Sequence, residues 1–341
     1  MNDMAEPLRI VVIGCGLTGN KRLEAIDRLE GATLAATIDP HRTPASKTAA
    51  PHYRSLDELS PDSYAAAVIS VPHDAAPELT EAVLSAGKPV LVEKPLATSS
   101  EVARRLELLA SNVRAPSFVG YNYRFLPAVR AVVKSALAGR LGKLRSIDIL
   151  IGHGGHPDSA KEWKLDVGRA GGGVLLDPGV HLLDLLLQLA PDVSCSAVEG
   201  TRDFWGTGVE EDVAVVFRGE SLLVTLRVSH IRWINTFRME VFGDEAYSIA
   251  EGRGGNYGPM TVRFGKRWGW AGNAGVTQRE SETVQEFGIA DRSFQDELAG
   301  VLRLWRTGDA VDGWPHPATF HEARMVIELL EALYARMRLP A

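Results

Sequence analysis

The sequence Leu8-Arg9-Ile10-Val11-Val12-Ile13-Gly14-Cys15-Gly16-Leu17-Thr18-Gly19 joins an apolar run to a glycine-rich turn. A helix is predicted to follow at residues 17–29, and further apolar runs lie at residues 34–38, 65–71 and 90–92. Strands that are apolar throughout and joined by helices are typical of parallel sheets buried on both faces. The first third of the chain is therefore predicted to be a doubly wound α/β domain.

The glycine-rich turn has the spacing of a dinucleotide-binding fingerprint, because Gly14, Gly16 and Gly19 follow a strand and open a helix. Glycines there let the backbone turn tightly and approach a pyrophosphate, which the N-terminus of the helix would bind. The spacing alone is a weak signal in a chain with 33 glycines. Asp39 strengthens it, since a carboxylate that ends the second strand about twenty positions after Gly19 can bind ribose hydroxyls.

Asp39 also bears on the choice of cofactor. A carboxylate at this position repels a 2′-phosphate, so NAD is predicted in preference to NADP. His41 and Arg42 follow it and would offset part of that repulsion. The alternative interpretation is an aspartate that only starts the turn at Asp39-Pro40.

The rest of the chain has a different pattern. Because 341 residues exceed the usual size of one core, two domains are predicted, residues 1–123 and 124–341. Helices are predicted at residues 127–137, 293–305 and 319–337. The strand candidates are residues 144–151, 212–217, 222–229, 237–242 and 260–264. Hairpin-like breaks between them predict a C-terminal α+β domain with a large, mainly antiparallel open sheet.

The composition is that of an ordinary globular protein, with 45% hydrophobic and 23% charged residues. A formal net charge of −6 argues against a surface for nucleic acid or anionic membrane. Cys15 and Cys195 are the only two cysteines, which excludes a zinc ribbon or a disulfide framework and fits a reducing compartment. Residues 1–7 lack the basic start and apolar stretch of a secretory signal, so a soluble, cytoplasmic protein is expected.

Two further motifs carry side chains suited to proton transfer. Glu93-Lys94-Pro95 ends a predicted buried strand. Some eighty residues on, Gly171-Gly172-Gly173 precedes a leucine-rich segment that contains Asp177 and His181. A histidine has a pKa close to working pH and suits general acid/base catalysis. A lysine ammonium can stabilise a developing alkoxide where water is excluded.

The leucine-rich segment is predicted to be a helix buried nearly all round. Asp177, His181, Asp184 and Gln188 are spaced four, three and four apart, so they form one polar stripe on it. Such a stripe is expected to face a cleft rather than bulk water. Asp177 before Pro178 would also make a good N-cap, and Asp184 either orients His181 or forms a structural pair.

A metal site is not predicted. His153, His156, Asp177 and His181 are the candidate ligands, but their spacing matches no familiar ligand pattern. Taken alone, His181 would be interpreted as a buried core histidine, and only its combination with Lys94 and the polar stripe favours catalysis.

Residues 14–19, Glu93-Lys94-Pro95 and the glycine-rich run that ends in Asp177 and His181 together resemble the Gfo/Idh/MocA family, which includes glucose–fructose oxidoreductase and inositol dehydrogenase. Residues 86–96 resemble its cofactor-side signature, and residues 120–127 resemble the stretch that joins its two domains. The likeness spans essentially the whole chain.

The resemblance implies a Rossmann domain and an NAD(P)-dependent oxidoreductase. Its substrate would be a secondary alcohol or ketone of a sugar, cyclitol or sugar derivative, with phosphorylated and nucleotide-linked sugars left open. Lys94 would lie beside the nicotinamide and bond the reacting hydroxyl, His181 would be the general acid/base, and Asp177 would hold the substrate and the imidazole. The implied cofactor contacts are Gly14, Gly16, Leu17, Thr18, Gly19, Asp39, Arg42, Val71, Pro72, His73, Glu93 and Lys94. The chain departs from the family at His73, where members have asparagine, and at Ala76, where they have histidine.

The resemblance also implies where the substrate would bind. Tyr123, Arg124, Trp163 and Lys164 would join Asp177 and His181 around it, although the loop that contains Lys161, Trp163, Lys164 and Arg169 is equally well read as a solvated basic turn. The aromatic loop at residues 268–273 offers a face for sugar stacking, core packing or a subunit contact.

Two other functions remain open on the same scaffold: a redox-assisted glycosidase that uses NAD transiently, and a non-catalytic NAD or sugar sensor. The open sheet of the second domain predicts a homodimer or homotetramer.

Overall fold

A computed structural model describes residues 6–45, 48–155, 167–267, 282–309 and 311–337. The chain folds as two compact units. The first contains Met1–Asn122, Gly168–Gly171 and Arg292–Glu331. The second contains Tyr123–Val167, Gly172–Asp291 and Ala332–Ala341. Within the described residues, no helix is both long enough and apolar enough to cross a bilayer.

The first unit is built on a seven-stranded sheet. With elements numbered in chain order, its strands are β1 (Leu8–Ile13), β2 (Ala32–Ile38), β3 (His52–Tyr53), β4 (Ala66–Ile69), β5 (Val90–Glu93), β6 (Phe118–Gly120) and β15 (Ala318–Thr319). Its helices are α1 (Leu17–Asp27), α2 (Ala76–Ser85), α3 (Ser100–Val113) and α7 (Ser293–Thr307), together with most of α8 (Phe320–Arg336) and most of the short α5 (Val167–Ala170). The last residues of α8, from Ala332 on, belong to the second unit. The strand order is β15-β6-β5-β4-β1-β2-β3, and every pair is parallel except β15 with β6. This confirms the doubly wound parallel sheet.

The closing helices belong to this first unit, whereas the sequence division put residues 292–331 in the second domain. The reason is a shared core. Ile10 and Val12 of β1 pack with Ile26 of α1, and the apolar face of α7 completes that cluster through Leu298 and Val301. Helix α7 thus buries its apolar stripe against α1, which no local pattern in the sequence specifies.

The second unit is built on an eight-stranded sheet. Its strands are β7 (Leu144–Gly152), β8 (Ser194–Thr201), β9 (Asp212–Arg218), β10 (Leu223–Ser229), β11 (Thr236–Gly243), β12 (Ala246–Glu251), β13 (Met260–Lys266) and β14 (Thr283–Gly288), and its helices are α4 (Pro127–Leu137) and α6 (Gly179–Leu189). The strand order is β14-β13-β12-β11-β7-β10-β9-β8, with only the β7–β10 pair parallel among these strands. The large, mainly antiparallel sheet is therefore confirmed.

The two faces of this sheet differ in chemistry. Alternate residues of β7, namely Ile147, Ile149 and Ile151, are buried on the face that carries α4 and α6. The other face carries ion pairs within a strand and between neighbouring parts of the sheet. They are Arg227 with Asp212, Arg238 with Glu240 and Glu251, and Arg263 with Glu251 and Glu282.

Candidate active site

The glycine-rich turn is packed too tightly for side chains at two positions. Gly14 has a φ of 98°, and a Cβ there would overlap the carbonyl group of Ser70. A Cβ on Gly19 would overlap the carbonyl of Gly14. Leu17 is 78% exposed at the start of α1, so an apolar side chain stands open beside the turn. The cradle therefore has the shape that a pyrophosphate-binding turn requires.

Asp39 ties the turn to the end of β2. Its Oδ2 accepts the N–H of Cys15 at 2.8 Å, and its Oδ1 accepts the N–H groups of His41 and Arg42 at 2.9 Å each. Burial raises the pKa of Asp39, but these three N–H donors and the Arg42 guanidinium outweigh it and hold the pKa below its ordinary value. The carboxylate therefore stays ionised. It forms the turn at Asp39-Pro40 and, with about four acceptor sites, has capacity left for a hydroxyl donor.

Asn20 was not singled out from the sequence. Its Nδ2 donates to the carbonyls of Cys15 and Gly16 at 2.9 Å, and its Oδ1 accepts the N–H of Ala45 at 2.9 Å. It therefore links the loop after β2 to the glycine-rich turn. The sequence contained one signal for this role of Asn20, namely an amide side chain in the first turn of the helix that follows the glycine-rich turn.

Cys15 has the structural role that its position suggested. Its side chain is buried, and burial, with a contribution from Asp39, raises the pKa of the thiol from 9.0 to about 11. The thiol is therefore protonated at neutral pH and unreactive.

Val71 and Pro72 are half-buried in the turn after β4, and His73 is buried. The Nδ1 atom of His73 lies 3.0 Å from the carbonyl oxygen of Ala170 in α5. Arg169 and Asp74 form an exposed ion pair nearby, with 3.4 Å between Nε and Oδ2. The His73 ring thus contacts the segment Gly168–Gly171, which contains the end of α5 and belongs to the first unit. No pattern in the sequence predicted this contact.

Glu93 directs its carboxylate at a buried arginine. Its Oε1 lies 2.6 Å from Nε of Arg22, whose Nη2 lies 2.6 Å from Oε2 of Glu297. Arg22 has no exposed surface, and its guanidinium lies 4.7 Å from the centre of the Phe294 ring. Burial lowers the pKa of Arg22, but the two carboxylates outweigh it and raise the pKa above its ordinary value. Glu93, which the family resemblance assigned to the cofactor, thus pairs with a buried arginine of the protein itself.

Lys94 is half-buried and follows β5 directly. Its peptide bond to Pro95 is cis, as is the bond from Asp177 to Pro178. The glycine-rich turn, Asp39 and Lys94 follow β1, β2 and β5, so all three lie at the carboxyl edge of the parallel sheet. Ligands of doubly wound sheets bind at this edge.

In the second unit, a buried carboxylate organises the segment that leads into α6. Oε2 of Glu210 accepts the N–H of Gly173 at 2.9 Å, and Oε1 accepts the N–H of Leu175 at 3.0 Å. The hydroxyl of Tyr334 donates to Oε1 at 2.7 Å. A Cβ on Gly173 would overlap the carbonyl of Glu210, so the close approach requires glycine. Burial raises the pKa of Glu210 despite these donors.

Helix α6 begins at Gly179, and Pro178 occupies its N-cap position without a side-chain cap. The interpretation of Asp177 as the N-cap is therefore wrong. Asp177 instead lies in the preceding turn, where its N–H donates to the carbonyl of Gly173 at 2.9 Å. Every residue from Gly179 to Leu186 is buried, as expected for so apolar a helix.

His181 is buried and packs face to face with Tyr123. The ring centres are 3.9 Å apart and the rings are inclined by 4°. The Arg253 guanidinium lies over the Tyr123 ring at 5.1 Å and over the Tyr257 ring at 4.2 Å. Burial raises the pKa of Tyr123 well above its ordinary value, so the phenol stays neutral. Tyr123 thus contacts His181 and Arg253, and Arg253 in turn contacts Tyr257; neither Arg253 nor Tyr257 was singled out from the sequence.

Arg124 does not present its charge to solvent. Its Nε and Nη2 atoms bond both oxygens of Asp184, at 2.8 Å and 2.5 Å. Both side chains are essentially fully buried. This bidentate pair clamps α6 to the turn before α4, so Asp184 takes the structural role that was one of its two interpretations.

Some sequence candidates lie outside the described residues: His156, Lys161, Trp163, Lys164 and the aromatic loop at 268–273. Within the described part of the chain, no group of three or more histidine, cysteine, aspartate or glutamate side chains could hold a metal ion.

Comparison with known proteins identifies the family of both parts of the chain. The sequence model of a protein family described as "Oxidoreductase family, NAD-binding Rossmann fold" matches residues 8–121. The GFO/IDH/MocA C-terminal domain matches residues 128–248. A myo-inositol dehydrogenase from Streptomyces leeuwenhoekii is 30% identical over 213 residues, which cover 58% of this chain and 63% of that protein. The match therefore spans less than two thirds of that relative's length.

Solved structures share the fold over nearly the whole chain. A 3-ketoreductase from Actinomadura kijaniata, in complex with NADP and TDP-benzene, has a TM-score of 0.80 and 18% identity, and the match covers 98% of this chain and 99% of that one. GenD2 from gentamicin A biosynthesis, in complex with NAD, has a TM-score of 0.78 and 24% identity, with 98% and 95% covered. With both domain models matched in order, the chain belongs to the Gfo/Idh/MocA oxidoreductase family.

Proposed function

We propose that the protein is an NAD(P)-dependent oxidoreductase that interconverts a secondary alcohol and a ketone of a sugar, cyclitol or sugar derivative. The observation that carries the proposal is the position of Lys94 directly after β5, at the edge of the sheet where the nucleotide-binding turn also lies. The inositol dehydrogenase among its relatives supports the substrate class.

The residues of the first unit fit a dinucleotide. The turn at Gly14 and Gly19 leaves no room for a Cβ, Leu17 is open beside it, and the ionised Asp39 retains acceptor capacity for ribose hydroxyls. Solved neighbours bind NAD or NADP, so the preference for NAD rests on Asp39. A Cβ placed on Gly16 would lie 3.7 Å from Nη1 of Arg42, so this guanidinium also lies against the turn.

In the proposed mechanism, the bound nicotinamide supplies the acceptor for the hydrogen that leaves the carbinol carbon with its electron pair. Lys94 donates a hydrogen bond to the substrate oxygen and stabilises the negative charge that develops there. His181 accepts the hydroxyl proton, and Asp177 holds the substrate and the imidazole. Tyr123 keeps the His181 ring in one orientation through their parallel stack. In ketone reduction the same groups act in reverse.

Replacement of Lys94 or His181 tests these roles. Lys94→Met and His181→Asn should each lower kcat about a thousandfold, because proton transfer by a positioned group contributes about 10²–10⁴-fold. Binding of NAD, measured by calorimetry, should stay within about threefold of the parent. Lys134→Met, a change to an exposed lysine in the last turn of α4, is the control and should retain activity. Full turnover in both site variants would refute the assigned roles.

Product analysis separates the other two candidate functions. Release of a free sugar from a glycoside without accumulation of NADH would show redox-assisted glycoside cleavage. Tight NAD binding without turnover across a broad panel of polyols and ketoses would show a sensor. We infer NADH accumulation with a polyol or sugar.

We also propose that the ion-paired face of the eight-stranded sheet meets a second copy of the chain, giving a homodimer or homotetramer. A flat, open sheet face with its charges already paired suits an interface that is symmetric. Static light scattering of the parent tests this, and a monomer at micromolar concentration would contradict it. A cytoplasmic location is proposed on the two free cysteines, Cys15 and Cys195.

A further inference from the structure

An exposed aromatic cluster lies where β7 and β10 end and β11 begins. It consists of Phe204 and Trp205, in the loop between β8 and β9, and Trp233, in the loop between β10 and β11. Phe204 is 57% exposed and Trp233 is 66% exposed. The Phe204 ring lies 5.1 Å from that of Trp205 and 5.3 Å from that of Trp233. We call these three side chains the aromatic platform.

A buried carboxylate holds the platform in place. Glu211, with 1% of its surface exposed, accepts the N–H groups of Phe204 and Trp205 at 2.8 Å and 2.5 Å. The indole Nε1 of Trp205 donates to the carbonyl of His230 at 3.1 Å. The loop is therefore fixed from beneath, with the Phe204 ring exposed and the Trp205 ring half-buried.

The chain that leaves β7 passes directly under both indoles. A Cβ on Gly154 would lie 2.8 Å from Cε3 of Trp233, and one on Gly155 would lie 2.9 Å from Cζ2 of Trp205. Such close backbone contact restricts the rotamers of both rings. The platform is thus rigid, and rigid exposed aromatic surface is typical of a binding site.

The platform and the start of α6 lie at the same end of the sheet. Glu210, which holds the segment before Asp177, directly precedes Glu211, which holds the platform. At that end of β10, a Cβ on Gly179 would lie 3.3 Å from Cγ2 of Val228. The loop with Trp233 begins two residues after Val228.

We propose that the aromatic platform binds a second ring that is attached to the reacting sugar, so that the substrate is a glycoside rather than a free monosaccharide. The C–H face of a pyranose, or an aryl aglycone, is flat and apolar and stacks on the negative face of an indole. Ile234, which is 79% exposed beside Trp233, extends the apolar surface. The inference deepens the proposed function and rests on it for the claim that a sugar is the group that reacts.

The test measures binding rather than turnover. Methyl and phenyl β-glycosides of glucose, galactose, mannose and xylose are titrated by calorimetry into the parent, Phe204→Ala, Trp233→Ala and Trp233→Phe. For at least one sugar, the phenyl glycoside should bind the parent about tenfold more tightly than the methyl glycoside, the size expected for one aromatic contact. Both alanine variants should lose this preference, and Trp233→Phe should keep most of it. Disaccharides replace the phenyl glycosides in a second arm, to separate a sugar ring from an aryl ring.

Leu108→Ala, at a residue of α3 that is 57% exposed, is the matched control and should keep the preference. If Trp233→Ala unfolds, Phe204→Ala and Trp233→Phe decide the matter. The proposal is overturned if the parent shows no preference for an attached ring, or if the preference survives in Phe204→Ala and Trp233→Ala. It is also overturned if these variants change only the oligomeric state, since the platform would then contact a second copy. If the ring preference is found but none of these glycosides gives NADH, the binding role of the platform stands and the result counts against the proposed dehydrogenase activity alone.

Discussion

The carboxyl end of β5 and the start of α6 carry the two side chains proposed for proton transfer, and the protein supports them in different ways. Beside Lys94 the support is ionic. Glu93 pairs with Arg22, which also pairs with Glu297, and all three side chains lie in or near the interior. Three elements that are distant in sequence, namely α1, β5 and α7, are thereby joined through one guanidinium. We call Arg22, Glu93 and Glu297 the ionic anchor.

Around His181 the support comes from an aromatic ring and from backbone hydrogen bonds. Tyr123 stacks on the imidazole, and Glu210 accepts backbone N–H groups of the segment that leads into α6. The ion pair of this region, Arg124 with Asp184, joins one cation to one anion. The comparison teaches that an ionic anchor can tie distant elements to a site, whereas stacking and backbone bonds set the orientation of a ring.

The largest expected effect is on the ionic anchor. Arg22→Met should lower the free energy of unfolding by about 5 kcal/mol, the upper end for a broken buried ion pair, because two carboxylates lose their guanidinium. Urea denaturation measures this. Arg28→Met, at the C-cap of the same helix, is the control: its pair with Glu24 is exposed and should contribute under about 0.5 kcal/mol. A loss from Arg22→Met below that of an ordinary surface change would contradict the ionic anchor.

Arg124→Met should cost less, about 3 kcal/mol, because a single buried carboxylate is left behind. Arg145→Met, which removes an exposed pair with Asp244, is its control and should change little. The same urea experiment compares all four variants. A greater loss for Arg124→Met than for Arg22→Met would contradict the conclusion that the ion pairs beside Lys94 contribute more stability than the pair near His181.

Glu210→Gln should lower the free energy of unfolding by about 2 kcal/mol, since a carboxamide has one acceptor oxygen for donors that now bond two. The pH dependence has a definite sign. Burial raises the pKa of Glu210, so the stability of the parent relative to the variant should fall as pH rises from the ordinary glutamate range. Unfolding curves recorded from the ordinary glutamate range, about pH 4, up to about pH 7 measure it. A relative stability that rises over this range would refute the shift.

The smallest effect is expected at Cys15. Because the folded pKa is raised to about 11, the stability of the parent relative to Cys15→Ala should be constant below the ordinary value of 9.0 and fall as pH rises toward 11. At about pH 8, the Cys15 thiol of the folded protein should not react rapidly with a disulfide reagent. In the urea-unfolded chain the same thiol should react, because this pH lies only about one unit below its unperturbed pKa. Rapid modification in the folded state would show an accessible thiolate.

Much of the fold was predictable from local patterns. The predicted strand at residues 8–13 and the predicted helix at residues 127–137 coincide with β1 and α4. An uninterrupted apolar run and a proline at the first helical position are signals contained in the segments themselves. The strands that were missed are β3, β6, β8, β12, β14 and β15, of which β12 and β14 show why. Only Asp244 and Glu245 separate β12 from β11, without a glycine or proline between them, and β14 is mostly exposed and lacks alternation.

The candidate site divides in the same manner. The glycine-rich turn, Lys94 and the histidine of α6 were identifiable because each belongs to a pattern within one or two elements. Asp177, which the predicted polar stripe included, lies in the turn before α6. Arg253, Tyr257 and Tyr334 carried no such signal, since each reaches its partner only after distant strands and helices have packed.

By itself, the sequence determined the strand–turn–helix at Gly14, the lysine after β5 and a buried helix with histidine on it, because short-range sterics and hydrophobic periodicity dictate these features. Only the tertiary structure decided that Glu93 bonds Arg22, that Asp184 bonds Arg124, and that α7 joins the first unit. A buried charge takes as partner whichever opposite charge the packed chain brings near, and that choice is made by the closure of long loops rather than by neighbouring residues.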